Sequence, residues 1–210
     1  MHRWLSVLLM GLFACATALD PALAEDPNPT CVEPAPEPPA YNRKDWKHWI
    51  DADKDCQDTR QEILIRDSTV PVTFTDERQC RVATGRWVDP YSGTVITNPS
   101  LVDIDHMVAL KDVHDSGGHG WPPDQRRDFA NNLDDPTHLL ASGRSTNRSK
   151  GSKGPDEWLP PLESYRCQYS EDWVKVKEGW EIGMSESEYR VITYMIRICD
   201  AGQIPVLPQN

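Results

Sequence analysis

Beyond its first 24 residues the chain has no apolar run approaching the ~18 residues needed to cross a bilayer, which excludes a spanning helix from the rest of the sequence. It has no CxxC pair, so a thiolate zinc site is disfavoured. No HExxH stands around His114 and His119 either, so both read as loop histidines, and a zinc peptidase lacks its ligand helix. There is no internal repeat. Basic residues are in deficit, 22 Lys and Arg against 33 Asp and Glu, for a net charge of −11 that survives the joint loss of Arg3 and Asp20 with a leader. That balance argues against a general polyanion binder, and any nucleic-acid contact must come from a local basic patch.

What is present begins with that leader. MHRW is positively charged, LSVLLMGLFA is apolar, and Ala22-Leu23-Ala24 is a small-residue cleavage pattern, so residues 1–24 read as a signal peptide cut after Ala24. A competing reading takes Leu12-Phe13-Ala14-Cys15 as a lipoprotein box, in which Phe13 fits poorly. Residues 25–40 are too rich in proline to pack and read as a linker, followed by one domain over 41–200 and a tail over 201–210. Export places the remaining cysteines where disulfides persist. Sequence neighbourhood suggests Cys56 with Cys80 and Cys167 with Cys199, with Cys31 left over, among the alternatives five thiols allow.

The element pattern predicts an α+β fold, mainly helical, with a short β-hairpin region. Residues 41–68 read as helical, with Trp46, Trp49 and Ile50 on one face, and RVATGRWVDPYSGTVIT, 81–97, reads as a hairpin about Asp89–Gly93. A strand at 101–104 should deliver Asp105 and His106 at its end, a helix should open at the prolines of 122–133, and THLLA, 137–141, is a second strand. STNRSKG, 145–151, starts a helix with Ser145 as cap, and amphipathic helices follow at about 161–180 and 185–200, their Trp173, Val176, Trp180, Tyr189, Ile192, Met195 and Ile196 read as packing residues.

The chemistry concentrates in DIDH (103–106), His138 and NRSKG (147–151). Their order and spacing resemble the HNH, or ββα-metal, nuclease motif. The run from DIDH through FAN, HLLA, NRSKG and PDEWLPP is similar to the C-terminal nuclease domain of GmrSD-type restriction endonucleases and their secreted relatives. The likeness covers residues 41–200 in layout, with a motif core at 101–161. It implies a ββα-metal site in which His106 is the general base and Asp105 and Asn147 bind a divalent metal. It also implies hydrolysis of DNA, or RNA, leaving 5′-phosphate and 3′-hydroxyl ends, while the absence of an obvious base-reading element points to low sequence specificity.

Chemistry agrees with these roles. A histidine near neutral pKa can take the proton of an attacking water, and Mg²⁺ or Mn²⁺, held by one carboxylate and one amide oxygen, can neutralise charge on the phosphoryl group. Asp103, two residues before Asp105, points to the same strand face and is assigned to the metal through water or behind its ligands. His138 stands where many HNH proteins have asparagine and is assigned to hydrogen bonding that fixes the metal loop or the His106 ring, with direct metal binding as the alternative. Arg144, Arg148, Lys150 and Lys153 form an acid-free basic segment; Arg144, Arg148 and Lys150 are assigned to phosphate. Trp121 and Trp158, each beside proline, read as loop anchors rather than base-stacking rings.

Two alternatives stand beside the nuclease. DADKDCQDTRQE places Asp51, Asp53, Asp55 and Glu62 at positions 1, 3, 5 and 12 of a calcium loop, with Cys56 where the turn wants glycine. The second function class is a non-catalytic extracellular binding module on the same scaffold, with calcium at 51–62. The expected state is a monomer, secreted or periplasmic, with nucleic acid as partner.

Overall fold

Trp46, Trp49 and Ile50 do not share a helix. In the computed structural model, which describes residues 38–206, Arg43–Asp45 form a single 3-10 turn capped by the Asn42 side chain. The chain stays irregular until α1 (Thr59–Arg66). The reason is local: Trp49, Lys54 and Cys56 take positive φ (58°, 66° and 78°), which no right-handed helix accommodates. Asp58 caps α1 by accepting from the Gln61 backbone NH. The leader 1–24, the linker through residue 37 with Cys31, and residues 207–210 lie outside the described residues.

The expected hairpin is divided between two partners. β1 (Thr73–Phe74) pairs antiparallel with β2 (Val82–Thr84), and β3 (Trp87–Val88) pairs with β4 (Val95–Ile96). The second pair closes over Asp89–Gly93, where the Gly93 NH donates to the Asp89 carbonyl at 2.8 Å and Gly93 takes a φ of 72°. The Cys56–Cys80 disulfide ties the acidic loop to the start of β2.

The central pair is β5 (Val102–His106) against β6 (Leu139–Gly143), antiparallel and in register from Val102 opposite Gly143 to His106 opposite Leu139. α4 (Arg144–Lys150) leaves directly from β6. Its N-cap is Gly143, with no side-chain cap, so Ser145 lies inside the first turn instead of preceding the helix. Strand, strand and helix thus form a ββα unit. Between the strands the chain folds α2 (Leu110–Asp115) and α3 (Pro123–Ala130).

α5 (Arg166–Gly179) and α6 (Glu186–Asp200) complete a single α+β domain, joined by the Cys167–Cys199 disulfide; both expected pairings are formed. Ser185 and Glu188 make a capping box at the start of α6. Trp173, Val176, Ile192 and Met195 are buried as their spacing predicts, whereas Tyr189 is 65% exposed and does not pack.

Two apolar clusters flank the ββα unit. One gathers Ile63, Leu64, Trp87, Val102, Ile104 and Leu139; the other gathers Trp46, Tyr91, Phe129, Tyr169 and Trp173. Trp158 is buried in the second, and Trp121 packs against it, so both anchor loops as expected. At fully buried aliphatic side chains such burial contributes roughly 1.5–3 kcal/mol each, and Val102 and Ile104 anchor β5 in the first cluster.

Candidate active site

β5 delivers Asp105 and His106 into a cleft of about 370 Å³ that Asn147 and Arg148 line from α4 and that Arg43 and Lys111 line from elsewhere. The His106 ring is nearly buried, and its Nε2 lies 3.0 Å from the Ala130 carbonyl. A carbonyl only accepts, so Nε2 carries the proton and Nδ1 is the lone-pair nitrogen. Nδ1 has no partner among the described residues and is not one of the sealed, unpaired buried atoms. Burial, reinforced by neighbouring His138, holds the ring well below the ordinary histidine range, so it is neutral with Nδ1 ready to accept.

The end of α3 organises this geometry. His138 Nε2 donates to the Phe129 carbonyl at 2.7 Å, and His106 donates to the next carbonyl, so the last residue of β5 and the residue just before β6 bond adjacent carbonyls of one helix terminus. Burial lowers His138 to about 4. His138 therefore bonds the same helix end that bonds His106. The following residue, Asn131, accepts from the Ile50 NH at 3.2 Å and from Thr59 Oγ1 at 2.8 Å, and donates to the Lys47 carbonyl at 2.8 Å.

That clamp fixes Trp49 in its left-handed conformation, with its ring stacked 5.8 Å from the His106 ring at an interplanar angle of 23°. A non-glycine residue there costs on the order of 1–3 kcal/mol, offset here by the hydrogen bonds around it.

Asp105 is buried between two donors. Lys150 Nζ sits 2.8 Å from Oδ2 and 3.1 Å from Oδ1, and the Tyr91 hydroxyl donates to Oδ2 at 2.6 Å. Burial pushes the carboxyl up, and Lys150, then Tyr91, oppose it. Lys150 is 0% exposed and also donates to the His106 carbonyl at 2.9 Å, so its assignment to phosphate is corrected: it is the interior counter-ion of Asp105.

Asp103 does not line the cleft. It faces the arginines instead, 3.8 Å from Arg144 Nε and 3.8 Å from Arg148 Nε, and so braces the two cations. Arg148 is 71% exposed and Arg144 40%, both at the surface as expected. Lys153 donates to the Ser149 carbonyl near the end of α4.

A hard cation fits the donors that remain. Asp105 Oδ1 accepts only from Lys150, and Asn147 lines the same cleft with an oxygen-bearing amide. One carboxylate oxygen and one amide oxygen are the hard donor type that Mg²⁺ or Mn²⁺ accepts. Elsewhere the Asp51, Asp53 and Asp55 carboxylates come within 4.8 Å of one another at the surface, and their charge, after burial, raises Glu62 on α1. His114 is buried, its Nε2 donating to the Pro39 carbonyl at 2.7 Å, and His119 bonds the His114 carbonyl, so neither joins a metal cluster.

Sequence reasoning missed Tyr91, Trp49, Asn131 and the two helix-end carbonyls. Tyr91 lay inside a turn signal, and FAN belonged to the resemblance without a role. Backbone acceptors leave no mark in a sequence.

The family described as GmrSD restriction endonucleases, C-terminal domain, matches residues 58–193. A protein of Arthroderma benhamiae named "Uncharacterized secreted protein" is 38% identical over 168 residues, 80% of each chain. No solved structure matches.

Proposed function

Because the chain belongs to the family of GmrSD restriction endonuclease C-terminal domains, we propose that it is an exported, metal-dependent endonuclease of the HNH type that hydrolyses phosphodiesters of DNA, or RNA, with low sequence specificity. The observation that carries this reading is the spent Nε2 of His106, which leaves Nδ1 open to the cleft that Asp105 and Asn147 share. Nδ1 takes a proton from a water as its oxygen attacks phosphorus, and the 3′ oxygen departs and takes a proton from solvent, leaving 5′-phosphate and 3′-hydroxyl ends. Asp105 and Asn147 would hold Mg²⁺ or Mn²⁺, which supplies charge neutralisation at the phosphoryl and departing oxygens. Arg148 and Arg144 hold the backbone electrostatically without choosing sequence.

Export is supported by the leader pattern, the two disulfides and the secreted relative. Among the described residues no helix is long and apolar enough to cross a membrane.

A second reading, a binding module without catalysis, is favoured by one observation: Asp105 already meets Lys150 and Tyr91. Plasmid nicking by the mature protein separates the two. Cutting with Mg²⁺ or Mn²⁺ that chelator abolishes is the expected result. A folded protein that cuts neither DNA nor RNA overturns the nuclease.

A further inference from the structure

Beside the cleft, along α4, lies a second groove of about 520 Å³, walled by Ile96 and Leu101 and edged by Thr94, Arg144 and Thr146. Its volume falls within the ~300–1,000 Å³ of small-ligand sites. Arg148 lines both cavities, so the groove adjoins the candidate catalytic cleft. Leu101 is 49% exposed at the groove, an apolar side chain that nothing in the domain covers.

The arginines at the divide are braced but not consumed. Asp103 stands 3.8 Å from each Nε, beyond hydrogen-bond distance, and neither guanidinium makes a hydrogen bond among the described residues. Two guanidinium planes beside an aliphatic wall match a nucleotide: the fork meets a phosphate, and the guanidinium face and the wall take the flat base. Threonine hydroxyls at the rim add donors and acceptors that any base can use.

We propose that this groove is a nucleobase subsite, holding the base of the nucleotide next to the scissile phosphate, flipped out of any helix. The proposal rests on the nuclease reading for its register and goes beyond it in substrate class. A base seated in the groove has left its pairing partner, so the enzyme selects single-stranded or locally opened nucleic acid over intact duplex. Unstacking a paired base costs a few kcal/mol, which unpaired substrates avoid.

The test uses the mature protein in chelator with a fluorescent oligothymidylate, its intact duplex, and an oligothymidylate with one central abasic site flanked by short arms. Anisotropy is expected to show at least tenfold tighter binding of the single strand than of the duplex. Leu101→Asp, and separately Thr94→Trp, which fills the groove, should each weaken single-strand binding about tenfold without lowering Tm. Leu101→Asp should leave binding of the abasic strand unchanged. Hydrolysis of bis(p-nitrophenyl) phosphate with Mg²⁺, a substrate without a base, should be unaffected by either variant.

Equal affinity for single strand and duplex, or full binding by both variants, overturns the subsite. A wild type that binds with this pattern but hydrolyses nothing with Mg²⁺ or Mn²⁺ overturns the nuclease and leaves the subsite standing.

Discussion

His106 is defined by which of its nitrogens is already used. With Nε2 held by Ala130 and the ring neutral through burial, the His106→Ala variant is expected to cut plasmid about two to four orders of magnitude more slowly, with near-ultraviolet circular dichroism confirming a folded protein. A variant that still cuts at the wild-type rate removes His106 from the mechanism. Lys150 makes a different demand. Replacing it by methionine leaves the Asp105 carboxylate buried without its counter-ion, so urea unfolding should show a loss of about 3–5 kcal/mol. Adding Asp105→Asn should recover a large part of that loss, and an additive double variant would refute the pairing. The NRSKG run made both lysine and arginine look like phosphate ligands. Residues two apart on a helix do not share a face, so Arg148 points out where Lys150 points in, and charge alone could not tell them apart.

The end of α3 is the element on which the site turns, because one helix terminus satisfies His106, His138 and, through Asn131, the loop carrying Trp49. The burial of His138 against that helix end gives stability a pH signature. Folding lowers His138 from 6.5 to about 4, so below pH 6.5 the unfolded chain takes up a proton that the folded chain refuses. The His138 contribution is complete above about pH 6.5, declines as pH falls, and levels off near 4, for a total of about 3 kcal/mol. Thermal melts of wild type and His138→Asn across that window measure it: the difference in slope should vanish above pH 7, and parallel curves throughout would contradict it. The strands β5 and β6 and the helices α3 to α6 were legible because apolar spacing and turn residues mark them. The irregular segment before α1 was not, since left-handed residues such as Trp49 and Lys54 are imposed by tertiary clamps and the disulfide, not by local propensity.

At the scale of the whole molecule, an acidic protein must reach a polyanion through a few well-placed cations. The net charge of −11 includes the exposed Asp51, Asp53 and Asp55 cluster, whereas Arg43 and Arg148 line the cleft and Arg144 stands beside it on the adjoining groove. Association is then governed by how many phosphates those arginines meet, and remote acids contribute only a background that salt screens within about 10 Å at 0.1 M. For a single strand the logarithm of affinity should fall with the logarithm of salt at roughly −0.7 per phosphate contact, hence about −2 for three arginines. Arg144→Ala should lower that slope by about 0.7 in magnitude. Replacing Asp51, Asp53 and Asp55 together by asparagine should raise affinity at low salt and leave the slope unchanged. Titrations of a labelled oligonucleotide in chelator at several salt concentrations read both effects. A slope that responds to the acidic cluster but not to Arg144 would place the nucleic acid on another face and detach the basic segment from the site.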